Sequence, residues 1–190
     1  MGLAASGDLS ASMLRLKEDI VLVDEDAGSF GNSCGKQWFQ DMTKTLGDHG
    51  FKTIRVHGFS RNQTLDLFKK AKFVLDNRMR GSERMGIEAA LHGALLYTDD
   101  RENGQDAIDY PLPSDAIMSY SNFCDVSYIV KTILKAGSEY SERVSAYGPF
   151  RKRYIQDIGR ASMAKEAALF LKSLATKSAN EDFKPNQTQA

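Results

Sequence analysis

The sequence has no run of apolar residues long enough to cross a membrane as a helix, so no spanning segment is expected. Neither charge sign is in excess, with 25 lysines and arginines against 25 aspartates and glutamates. A chain so balanced has no global field to draw it to nucleic acid or an anionic surface. Cysteine is scarce. Cys34 and Cys124 lie far apart and lack metal-like spacing, which reads as a reduced, intracellular and cytoplasmic protein rather than a disulfide scaffold. The start, MGLAASGDLSASM, lacks the charged and apolar regions of a secretory signal. It does match the myristoylation pattern at Gly2 and Ser6, but we read it as an unstructured start. Without a signal, the sequons at Asn62 and Asn186 carry no weight. The chain has no Ser-His-Asp set, no pair of histidines at metal-ligand spacing and no internal repeat. No metal and no cofactor are therefore expected.

What the sequence does contain is alternation. Short apolar runs at 20–23, 53–56, 73–75 and 94–98 read as strands. Between them lie stretches with helical spacing. Trp38, Phe39, Met42 and Leu46 give one helix. Leu65, Leu67, Phe68 and Ala71 give a second, with Ser60 as its N-cap. Residues 85–92 give a third, ended by Gly93 at a position that needs positive φ. Beyond residue 98 the pattern loosens. Pro111 and Pro113 mark an extended segment, and Ile117, Met118 and Tyr120 suit a short edge strand. From about 125 to 175 the chain reads as helical, with a break at Gly148-Pro149. Strand, helix, strand in repetition predicts an α/β, Rossmann-like fold: an open, mostly parallel sheet flanked by helices, with a C-terminal helical extension. We expect a flexible tail over 1–17, one domain over 18–176 and a disordered tail over 177–190.

The central stretch, KFVLDNRMRGSERMGIEAALHGALLYTDD at 72–100, is one strand–loop–helix–strand unit. In such a unit the loop after the first strand faces ligand, and the helix N-terminus offers N–H groups to an anion. The segment EAALHGALLYT, preceded by the region of Gly58 and by LDLFKKAKFVLDN, resembles the nucleotide-sugar-binding second domain of GT-B glycosyltransferases. The likeness runs from about residue 20 to 113 and is best over 58–100.

The resemblance implies glycosyl transfer from a nucleotide-sugar donor, bound as substrate, to an unknown acceptor. It implies that Glu88 grips the ribose diol; a carboxylate accepts two hydroxyl hydrogens at once, and a place in the first turn of its helix would favour the ionised form. It implies that Arg84, and Lys36 at the start of the first helix, pair with the diphosphate, with Gly86 beside them at the helix N-terminus. Where retaining members carry a further glutamate eight residues before the ribose-binding one, this chain has Arg80. The Gly-Arg turn after the first strand is replaced by Asp24-Glu25-Asp26. A GT-B enzyme also needs an acceptor domain, for which this chain has no room. The domain is therefore expected to be incomplete or inactive without a partner domain.

Two other readings stand beside this one. Asp24 and Glu25 after one strand, Asp76 after another and Thr98 ending a third resemble a response-regulator receiver, whose acidic pocket holds Mg²⁺ around a phospho-acceptor aspartate. The lysine that such a domain needs before its proline is here Leu112. The third reading is a degenerate domain that only binds protein partners. His57 and His92 are read as packing or capping groups, and Arg78 and Arg80 as surface charges.

Overall fold

The computed structural model describes residues 9–24, 34–77, 84–102, 106–108 and 110–156. It divides into two units, 1–152 and 153–190. Of the second, the described part is the end of one helix.

A single helical turn, α1 (Ala11–Leu14), capped by Ser10, precedes the sheet. Then come β1 (Glu18–Asp24), α2 (Gly35–Asp48), β2 (Lys52–Val56), α3 (Arg61–Lys70), β3 (Ala71–Leu75), α4 (Arg84–Leu91) and β4 (Leu95–Asp99). A 3-10 turn at Ser114–Ala116 leads into β5 (Ile117–Met118). The rest is helical: α5 (Tyr120–Phe123), α6 (Val126–Ser138), α7 (Tyr140–Ala146) and α8 (Gly148–Gln156). The five strands form one sheet in the order β2-β1-β3-β4-β5, and every pairing is parallel. The expected Rossmann-like α/β fold is present.

The strands read as continuous apolar runs because both faces of the sheet are covered. Val21, Leu22, Phe73, Val74, Leu75, Leu95 and Leu96 have no exposed surface. Right-handed crossovers put α2 on one face and α3 with α4 on the other, since β1 to β2 runs one way across the sheet and β2 to β3 to β4 runs back. The packing agrees: α2 lies against α6, and α3 against α4. Trp38, Met42 and Leu46, spaced by four, form the buried stripe of α2. Gly93 adopts φ +97°, the left-handed conformation that ends α4 as expected.

Three local features differ from the sequence reading. The short α5 was not expected; Ser119 caps it through Asn122 N. The long helical region breaks at Glu139 as well as near residue 148. At the second break the interruption falls on Tyr147, and Gly148-Pro149 opens α8 instead. Proline is tolerated in a first helical turn because its missing N–H would have no intrahelical partner there.

Candidate functional site

In the order 2-1-3-4-5 the connections leave β1 and β3 in opposite directions, which makes the C-terminal ends of these two strands the switch point where doubly wound sheets take ligands. The register Val23↔Leu75 places Asp24 and Asp76 next to each other there. Asp76 is 1% exposed, and its backbone N–H donates to Tyr97 O at 3.1 Å. Its Oδ2 accepts from Gly86 N at 3.2 Å. Gly86 is the third residue of α4, so Asp76 satisfies one of the N–H groups that a helix start leaves open. The carboxylate also sits at the positive end of the helix dipole.

A Cβ on Gly86 would lie 2.6 Å from Asp76 Oδ2 and 2.9 Å from Leu96 Cδ1. The contact gives the residue a packing role of its own. Gly86 lets α4 close down on the sheet, and its amide faces a carboxylate of the same chain.

Glu88 is the fifth residue of α4, in its second turn rather than its first. Its carboxylate is held from α3 by Arg61, which the sequence did not single out. Arg61 Nη1 donates to Glu88 Oε2, and Nη2 to Oε1 at 3.0 Å. Arg61 is the first residue of α3, which begins at the C-terminal edge of the sheet. The pair therefore stands near the C-terminal edge of the sheet, on the face that carries α3 and α4. Hydrogen bonding to Glu88 raises the pKa of Arg61, so its charge is constant over the working pH range.

The remaining candidates are dispersed. Lys36 is exposed in the first turn of α2, at the same edge but on the other face of the sheet. Arg84 opens α4, and its side chain lies outside the described residues, as do Arg78 and Arg80. His92 acts as expected: Nδ1 is 2.8 Å from Glu88 O, and the ring packs 6.3 Å from that of Phe68. His57 is exposed beyond β2. Glu25 and Asp26 lie outside the described residues. Among the described residues no group of three or more His, Cys, Asp or Glu is placed to hold a metal. Asn77 Oδ1 and Thr98 Oγ1, both at the C-terminal edge, are buried and meet no hydrogen-bond partner among the described residues.

Comparison of the chain with protein-family models, with characterised proteins and with solved structures gives no match. The site must be judged on its own geometry.

Two further features lie away from Glu88. Cys34 and Cys124 form a disulfide, with Cα atoms 5.0 Å apart and a separation of 90 positions in sequence. This overturns the expectation of unpaired thiols. Cys34 caps the start of α2 and Cys124 the end of α5, and the stacked rings of Trp38 and Phe123, 5.8 Å apart, pack the same two helices together. An open cavity of about 210 Å³ lies beside α7, lined by Asp115, Glu139, Glu142, Arg143 and Tyr147 among others. Arg143 binds both Asp115 and Glu139, so two of the three carboxylates there are already paired within the chain. No helix among the described residues is long and apolar enough to cross a membrane.

Proposed function

We propose that this chain is a nucleotide-sugar-binding domain of glycosyl-transfer type, with Glu88 as the acceptor for the ribose diol. The observation that carries the reading is the placement of Glu88. Its two oxygens lie near the C-terminal edge of a doubly wound parallel sheet, the edge at which such sheets take ligands. Asn77 Oδ1, buried at the same edge without a partner among the described residues, is a further acceptor that a hydroxyl or a water would satisfy. Arg84 and Lys36 are the cations the reading assigns to the diphosphate. A partner domain would supply the acceptor wall and complete the enzyme. Disulfides persist in oxidising compartments, so the Cys34–Cys124 bond weighs against the cytoplasmic location expected from composition.

The strand order also favours a second reading. Order 2-1-3-4-5 is that of flavodoxin-like and receiver domains, and the dinucleotide-binding order is 3-2-1-4-5-6. Asp24, Asp76 and Thr98 fall at the ends of β1, β3 and β4, as a receiver requires. The state of Asp76 argues against phosphorylation. It is 1% exposed, with the Gly86 amide on Oδ2 and no space for even a methyl group on that side.

Titration calorimetry with uridine, guanosine and adenosine diphosphates separates the readings. At least one should bind the wild type. Glu88→Ala should weaken it by roughly ten- to hundred-fold, the effect of leaving buried hydroxyls without an acceptor, about 1–3 kcal/mol. Mg²⁺ with acetyl phosphate should leave the melting temperature unchanged. No diphosphate binding at millimolar concentration, or a Glu88→Ala variant that binds as well as wild type, sinks the proposal. A melting-temperature rise with acetyl phosphate that Asp76→Asn abolishes would put the receiver reading first.

A further inference from the structure

We propose that Arg61 is a latch on Glu88, and that a vicinal diol binds only by displacing it. The inference rests on the reading of Glu88 as the diol acceptor. The guanidinium meets the carboxylate at two points, Nη1 to Oε2 and Nη2 to Oε1. A cis-diol would use the same two-point geometry, delivering one hydrogen to each oxygen. Guanidinium and diol therefore compete for one face of one carboxylate.

Three observations make the arrangement a latch rather than a fixed strut. With Arg61 in place the side chain of Glu88 is still 23% exposed, so the carboxylate lies at the surface and a ligand can reach it from solvent once the guanidinium moves. The side chain of Arg61 is 61% exposed, so it can swing into water without leaving a hole in the core. The backbone of Arg61 is fixed, because the preceding Ser60 and Gln63 form a complete capping box at the start of α3. Opening thus needs side-chain rotation only. An ion pair this exposed is weak, so a ligand with two well-placed hydroxyls can replace it.

The consequence is a tax on every diol-bearing ligand, and removing Arg61 lifts it. In titrations with adenosine, uridine and guanosine and their 2′-deoxy counterparts, Arg61→Ala should bind the preferred ribonucleoside about two- to fivefold more tightly than wild type. The 2′-deoxynucleoside should show no such gain. Arg61→Lys should fall between the two, since lysine cannot fill both oxygens in plane. Raising the salt concentration should tighten ribonucleoside binding to wild type by screening the pair, and should leave Arg61→Ala unmoved. The salt arm needs no variant, so it stands even if a substitution perturbs folding. If a ribonucleoside binds wild type and Glu88→Gln weakens it, yet Arg61→Ala binds equally or more weakly, the latch is refuted and the diol reading survives. If no ribonucleoside binds wild type or Arg61→Ala at millimolar concentration, the diol reading falls and the latch falls with it.

Discussion

Gly86 and Glu88 stand two positions apart on α4 and carry different burdens. Gly86 sits where the helix meets the sheet, against Asp76 and Leu96. Alanine there gains helix propensity, at most about 1 kcal/mol. Against that gain, the new methyl overlaps a buried carboxylate and a buried leucine, an overpacking cost of about 1–3 kcal/mol. The steric cost should win because neither neighbour is the loose end of an exposed side chain. Gly86→Ala should therefore lower the denaturation midpoint, and an equal or higher midpoint would show that α4 can back away from the sheet. Glu88 was legible as a functional candidate from its place in EAALHG. Its partner was not. Arg61 is 27 positions away on another helix, and no periodicity links the two. The Asp76–Gly86 contact was hidden in the same way, because it joins residues across a ten-position separation.

The helices show how ends are fixed by distant groups as well as by local ones. The start of α3 was readable, since Ser60 followed by Gln63 is a capping box in the sequence itself. Its end was not. Lys17 Nζ donates to Phe68 O at 2.9 Å and Ala71 O at 2.8 Å, closing the last turn of α3 from fifty positions upstream. Burial lowers the pKa of this lysine to about 7 from 10.5. The unfolded chain then holds a proton that the folded one has released between these two values. Stability should therefore rise with pH across that window and flatten below it. Denaturant midpoints measured through the window should climb in wild type and lose this component in Lys17→Met. A wild-type curve no steeper than that of the variant would place the charged amine comfortably in its site. A similar long-range closure serves β4. The short β5 pairs with Thr98 and Asp99, and Tyr147, which follows α7, donates its hydroxyl to the Leu96 carbonyl at 2.6 Å. The break at Glu139 escaped the sequence reading because no proline marks it and Gly137 lies inside the last turn of α6 rather than past its end.

For the molecule as a whole, parallel pairing was legible because buried strands separated by helices leave few other solutions. Strand order was not. Both common doubly wound orders satisfy the same alternation and the same crossover hand, and only the choice of pairing partners distinguishes them. The Cys34–Cys124 bond was invisible for a plainer reason, since two cysteines 90 positions apart have no spacing to interpret. That bond makes part of the chain a covalent ring. Everything from the start of α2 to the end of α5 lies within it, including Arg61, Asp76 and Glu88. Closing a loop this long restricts the unfolded chain by about 4–5 kcal/mol in the chain-entropy model. It also changes what a protease can do. One cut inside the ring turns it into a line but releases nothing, so the two sides of the switch point stay tethered. After limited proteolysis within the ring, electrophoresis should show full-length mass without reductant and two fragments with it. Fragments that part without reductant would show that the ring had never closed.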